Sequence, residues 1–204
     1  MSRGFNEHEK LAITNSLIEQ GKILFSTFGF KKTTISEITK NVGIAQGTFY
    51  HFFNSKEELY FIILEKEEEK IKEQFLKVVD TFQYKNAKKV IKNMLIEMLQ
   101  MIETNPLIRE LYFGSTMQQI INKLSPALLE KHFKKDTTSF LPLIHNLKEA
   151  GLVINRSPEV LAGVLRSLFI LTLHQKEIGE NVYRETIEIY VDLIVDGLIK
   201  EEGK

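Results

Sequence analysis

Residues Thr33–Leu59 read TTISEITKNVGIAQGTFYHFFNSKEEL, and the punctuation of this stretch decides the fold. Thr34 stands three residues before Glu37, and Ser55 three before Glu58. In each pair the hydroxyl can accept an orphan helical N–H while the carboxylate reaches back to the cap, so both mark helix starts. Gly43 sits where a left-handed helix end is needed. The stretch therefore predicts helices over Thr34–Val42 and Ala45–Phe52 and a further one after Ser55. The tight break at Asn41-Val42-Gly43-Ile44 is a helix-turn-helix turn, and a helix held steeply by such a turn can enter the major groove of DNA.

Upstream, Asn6 with Glu9 forms a third box and Gly29 a stop, so a first helix is predicted over Asn6–Phe28. Leu17, Leu24, Phe25 and Phe28 share a face of it, as Ile35, Ile38 and Val42 do on the second helix. Ile44, Phe49, Phe52 and Phe53 close a small three-helix core against them.

The surface of the third helix is unusual. Its first turn, Ala45, Gln46, Gly47 and Thr48, is small or slender. A glycine inside a helix costs about 1 kcal/mol relative to alanine, and close approach of the backbone to another surface is a reason to keep one. Gln46 can make a bidentate contact to adenine, and Thr48 can meet a thymine methyl or a phosphate. Tyr50 and His51 can donate to phosphates. Lys56, at a helix N-terminus that itself favours anions, has the same chemistry, as do Thr33 and Thr34. Taken singly, each of these side chains is ordinary solvated surface; their order behind a capped helix and a glycine turn gives them meaning.

The fourth helix joins this head to the rest of the chain. It turns wholly polar at Glu65–Lys70, EKEEEK, before apolar spacing resumes at Ile71, Phe75, Val78, Val79 and Phe82. Such a run either bridges two packed bodies or is a solvated face, and the domain boundary is placed near it. Helices are then predicted over 86–104, 106–113, 116–123, 126–150, 158–178 and 181–200. Pro106, Pro126 and Pro158 fall at first-turn positions behind the caps Asn105, Ser125 and Ser157. The fold class is all-α: residues 1–54 form a three-helix helix-turn-helix DNA-binding domain, joined through the fourth helix to a C-terminal helical domain, 55–204.

Of the 204 residues, 43% are hydrophobic and 26% charged, enough for a core and solubility. The absence of cysteine excludes disulfides and thiolate zinc sites, and with no basic-then-apolar leader a cytoplasmic protein is expected. The most apolar stretch, Val160–Leu173, contains Arg166 and is too short to span a membrane. Net charge is zero, yet residues 1–56 hold seven basic against four acidic side chains, +3, leaving −3 for the remainder. A basic end on an acidic body suits phosphate binding.

The stretch also resembles the N-terminal domain of the tetracycline-repressor (TetR) family over about residues 17–64. The matching residues are Phe25, Gly29-Phe30, Thr33-Thr34-Ile35, Glu37-Ile38, Val42-Gly43-Ile44, Gly47-Thr48-Phe49-Tyr50-His51-Phe52-Phe53 and Ser55-Lys56-Glu57-Glu58-Leu59. The resemblance implies a dimeric transcriptional regulator, a repressor released from a pseudo-palindromic double-stranded operator by a small-molecule effector. It implies phosphate contacts at Thr33, Thr34, Thr48, Tyr50, His51 and Lys56, and groove contacts at Ala45, Gln46 and Gly47. This chain departs from the family pattern at Gln46, where a basic residue is common, at Gln20-Gly21, where paired alanines are common, and in its longer start, Met1–Ser16, which extends the first helix or forms an arm with Arg3.

For the C-terminal domain the resemblance implies effector binding and dimerisation. Polar residues in apolar helices mark the places to look for a pocket: Arg109, Tyr112, Gln118, His145, Arg166 and His174, with Phe113, Met117 and Phe169 as walls. A largely apolar effector follows. A buried Arg166 would require an anionic partner. The last two helices carry apolar stripes, Leu161, Val164, Leu165, Leu168 and Leu171 on one, and Ile187, Tyr190, Val191, Ile194, Val195 and Leu198 on the other. These are either a dimer interface, with Gly163 permitting close approach, or intramolecular core. No cofactor or metal is expected. Two other functions compete: an enzyme, for which no nucleophile elbow, phosphate loop or metal-spaced His and acid pair is present, and a helical protein-interaction module whose helix-turn-helix is architecture alone.

Overall fold

The structure, a computed structural model, describes residues 5–80, 86–113, 116–172 and 174–200. Its first helix, α1 (Glu7–Lys32), starts where the local bonds dictate. Asn6 Oδ1 accepts the Glu9 amide at 2.8 Å, and Glu9 Oε2 accepts the Asn6 amide at 2.9 Å. This reciprocal pair satisfies two donors that no helical carbonyl reaches. Gly29, at φ 80° and ψ 167°, breaks the helix near its end; a residue without Cβ takes that conformation cheaply. The break overturns one expectation from spacing. Gly29 turns the chain so that fully buried Phe30 fills the place beside Phe25 and Tyr60, with ring centroids 6.0 and 5.1 Å away, and Phe28 is left 57% exposed.

Two short helices follow, α2 (Ile35–Val42) and α3 (Gln46–Phe49). The third helix expected through Phe52 is a single α-turn. Tighter bonds continue it, from His51 N–H to Thr48 O at 3.1 Å and from Phe52 N–H to Phe49 O at 2.9 Å. The long α4 (Lys56–Asp80) runs unbroken through EKEEEK. Ser55 Oγ accepts the Glu58 amide at 3.0 Å, as the box predicts, but the Glu58 carboxylate takes the Asn54 amide at 2.6 Å instead of its partner's.

The remaining helices are α5 (Ala87–Thr104), α6 (Pro106–Phe113), α7 (Met117–Ile121), α8 (Pro126–Thr138), α9 (Leu141–Glu149), α10 (Pro158–Thr172), α11 (Gln175–Ile178) and α12 (Tyr183–Leu198). Where spacing predicts one helix over 126–150 there are two. Pro142 lacks an N–H, and its ring would crowd the carbonyl of Thr138 in a continuous helix, so it is held in the first turn of a new one. Residues 158–178 likewise divide into α10 and α11. An isolated antiparallel bridge pairs Val153 with Ile199, with Ile154 N–H donating to Leu198 O at 3.0 Å and Lys200 N–H to Leu152 O at 2.8 Å.

Two compact units are present: Met1–Glu68 with Asn105–Leu129, and Glu69–Thr104 with Glu130–Lys204. They part inside the EKEEEK run. The first unit buries Leu17, Phe25, Phe30, Ile38, Phe49, Leu59 and Tyr60. Polar bonds fix α6 within it. The Tyr60 hydroxyl donates to Leu107 O at 2.7 Å, and burial first, then Glu110, pushes that hydroxyl's pKa up. Buried Glu67 takes the Lys22 amine at 2.8 Å and the Asn105 amide at 3.3 Å. Gly21 is buried where α1 meets α4: a Cβ there would lie 2.9 Å from Ile63 Cδ1 and 3.2 Å from Leu59 Cδ2. The Gln20-Gly21 departure thus permits close helix approach.

The second unit packs α5, α9, α10 and α12 around Leu95, Leu143, Leu147, Leu165, Leu168, Val191 and Val195. Lys88 bonds Asp196 at 2.9 Å, and Lys92 pairs with Asp192, along the α5–α12 seam. Among the described residues, no helix is long and apolar enough to cross a membrane.

Candidate nucleic-acid interface

The turn between α2 and α3 is built by its glycine. Gly43 stands at φ 79° and ψ 29°, donating to Lys40 O at 3.2 Å, while Ile44 N–H donates to Thr39 O at 3.0 Å. This paired arrangement satisfies the last carbonyls of α2 and turns the chain sharply. At the other end of α2, Thr34 Oγ1 accepts the Glu37 amide at 3.2 Å and donates to Glu37 Oε2 at 2.8 Å. That hydroxyl bond, then the Thr34 backbone bond, holds the Glu37 carboxyl below its usual range. With both ends capped, α2 is fixed, and Ile38 and Phe49, both fully buried, dock α3 against it.

What α3 leaves outside is the candidate reading face. Ala45, Gln46, Gly47, Tyr50 and His51 are exposed and Thr48 is half-buried. The Tyr50 ring stands edge-on to Phe49, centroids 5.4 Å apart, and is 54% exposed. No acidic residue occurs from Ala45 to Lys56, so the face offers an amide, hydroxyls and an imidazole with no carboxylate to repel phosphate. Gly47 has no packing reason to be glycine, because nothing lies within 4 Å of where its Cβ would be. The space is open to an outside surface.

Two of the nine residues marked for DNA turn inward. Thr33 is 1% exposed, and its hydroxyl donates to Gly29 O at 2.9 Å and Leu24 O at 3.2 Å. Lys56 Nζ donates to Phe30 O and Thr33 O, both at 2.9 Å, and lies 4.2 Å from the centre of the Phe30 ring. Partial burial pulls its pKa below the usual lysine value, against a smaller upward pull from Glu57.

The pocket candidates divide between the units. Arg109, exposed, and Met117, half-buried, belong to the first. His145 and His174, exposed, and Arg166 and Phe169, half-buried, belong to the second, where Phe169 stacks on Phe140 at 5.3 Å. The side chains of Tyr112 and Phe113 lie outside the described residues, as does Arg3 of the suggested arm. A small cavity of the second unit is wholly apolar, lined by residues such as Leu143, Leu147, Leu165 and Val195, and includes none of the pocket candidates. Among the described residues no acid and histidine cluster could hold a metal.

Of the seven interface candidates, Leu161, Leu168, Ile187, Val191 and Ile194 are buried in the second unit's own core, the intramolecular alternative of the two open in the sequence. Val164 and Tyr190 are half-buried at its edge, and the Tyr190 hydroxyl lies 3.4 Å from Ser167 Oγ. Other apolar side chains of α10 and α12, which sequence reading missed, are left exposed: Val160 at 55%, Ile170 at 48%, Ile189 at 53% and Leu193 at 65%. The signal was available. Positions two before and two after Val191 fall on the opposite side of a helix, so α12 is apolar on two faces. Nothing lies within 4 Å of a Cβ added at Gly163 on α10.

Residues 17–61 match the profile of the bacterial regulatory proteins, tetR family. No curated protein matches the chain. Among solved structures, a TetR-family transcriptional regulator (ECA1819) from Pectobacterium atrosepticum superposes with a TM-score of 0.77 at 20% identity, over 97% of this chain and 99% of that one. SmeT, the repressor of the Stenotrophomonas maltophilia multidrug efflux pump SmeDEF, gives 0.63 at 15% identity, covering 93% and 91%. Its complex with triclosan gives 0.61 at 14% identity, covering 94% and 93%. At these identities the structural likeness is one of fold.

Proposed function

We propose, from the match of residues 17–61 to the tetR family of bacterial regulatory proteins, that the chain is a homodimeric, sequence-specific transcriptional repressor released from its operator by a small-molecule effector. The observation that carries the reading is the α3 face: Ala45, Gln46, Gly47, Thr48, Tyr50 and His51 lie on a one-turn helix docked on α2, which is capped at both ends, with open space over Gly47. In this reading Gln46 contacts a base edge, Ala45 and Gly47 let the backbone approach the groove, and Thr34, Thr48, Tyr50 and His51 meet phosphates. The dimer forms through the exposed face of α10 and α12, with Val164 and Tyr190 at its margin. It presents its reading heads about 34–36 Å apart to successive turns of a pseudo-palindromic operator.

Effector release is a shift of population toward a state whose spacing no longer fits the groove. The SmeT–triclosan complex supports an apolar ligand by analogy of fold. For an effector site within the second unit, Arg166 and Phe169 are the residues to substitute.

An electrophoretic shift on the DNA upstream of the gene's own coding sequence tests the function. Salt-sensitive retardation that specific competitor relieves is the expected result, and its absence overturns the reading. Gln46→Ala should change the ranking among operator variants, while Tyr50→Phe weakens them all alike.

A further inference from the structure

We propose that Lys56, together with Thr33, is a positioning residue that clasps the α1–α2 junction to the start of α4, and that neither is a phosphate ligand. The inference rests on the DNA-binding reading and refines its contact set.

The cause lies at the end of α1. Gly29 O still accepts the Thr33 N–H at 3.3 Å, but the Thr34 N–H that a continuing helix would give to Phe30 O goes to Glu37 Oε2 at 2.8 Å, so the junction draws on side-chain donors. Thr33 supplies one, its hydroxyl donating to Gly29 O and Leu24 O from a position 1% exposed. Lys56 supplies two more, to Phe30 O and Thr33 O. An ammonium has three donors; two are committed to main chain, and the charge lies over the ring of fully buried Phe30. Turning outward to a phosphate would strip both carbonyls of their donor and give up the ring contact.

The consequence is positional. Thr33 immediately precedes Thr34, the cap of α2, and Lys56 is the first residue of α4. The clasp therefore sets where α2, and with it the Gly43 turn and α3, begins relative to α4. Lys56 acts on DNA through the placement of the reading head.

Three readouts on the full-length protein test this with Lys56→Met. Thermal unfolding should shift down by about 4 °C or more, a size expected for losing charge-assisted bonds in a chain of this length. Affinity for a mixed-sequence duplex should fall by a common factor at every salt concentration, leaving the slope of log K against log salt unchanged. A phosphate ligand would lower that slope by about 0.9. In wild-type protein, the Lys56 side-chain NMR signals should be displaced upfield by the Phe30 ring and stay in place when the duplex is added. An unchanged midpoint, a slope reduced by about 0.9, or a Lys56 signal that moves on adding duplex overturns the proposal. If the wild-type protein binds no duplex at all, the DNA reading fails by itself, and the midpoint and the upfield position still decide whether the clasp exists.

Discussion

At the scale of single residues, Gly47 and Thr34 show how the same segment serves folding and recognition differently. Gly47→Ala places a methyl in open space inside a helical turn. It should stabilise the protein by about 0.5–1 kcal/mol in chemical denaturation, from helix propensity, while weakening duplex binding in a titration. A variant both more stable and equally tight would show that no surface approaches that point. Thr34 serves folding as well as the proposed phosphate contact. Because the Glu37 carboxyl is held below its ordinary value of 4.5, the box contributes in full above that value and is lost as pH falls through the lower folded value. The gap in unfolding midpoint between wild type and Thr34→Ala should be constant near neutrality and narrow in acid. The open residues of α3 were legible in the sequence because a one-turn helix behind a glycine cap has an outside face whatever packs beneath it. Thr33 and Lys56 were not, because the direction a polar side chain takes depended on carbonyls at a helix end elsewhere in the chain.

Elements were most legible where their signals are local. The boxes at Asn6, Thr34 and Ser55 place the starts of α1, α2 and α4 to within a residue. Errors arose where geometry is set at a distance or by a single strained residue: Gly29 exchanged Phe28 for Phe30, and Pro142 divided one expected helix into α8 and α9. Gly21 belongs at this scale too, since spacing reveals a small residue but not the helix facing it. An added Cβ meets first the end of the Ile63 side chain and then a methyl of Leu59. Gly21→Ala should therefore be nearly neutral, its helical gain offset by a small shift of that tip. Gly21→Val, β-branched and larger, should cost about 1–3 kcal/mol by overpacking the α1–α4 contact. Urea unfolding of both variants checks the pair, and equal stabilities would mean the helices are not held together at this point.

For the molecule as a whole, α10 and α12 carry apolar positions of two kinds, buried and exposed. Leu168, with no exposure, and Leu193, at 65%, represent them. Leu168→Ala should cost about 2–5 kcal/mol of folding stability. Leu193→Glu should leave the unfolding of the isolated chain nearly unchanged and convert the dimer to monomer in sedimentation; a persisting dimer would move the interface elsewhere. Sequence periodicity found both helices but left their stripes open between dimer interface and core, and did not single out the exposed positions, since a second apolar face shows only once the first has been filled. The bridge between Val153 and Ile199 adds a topological consequence. It ties the segment before α10 to the residue after α12, so the last three helices form a noose closed by two main-chain bonds. A noose resists fraying from its free end. Amide hydrogens of Ile154 and Lys200, though outside any helix, should exchange with solvent only when the segment opens as one piece.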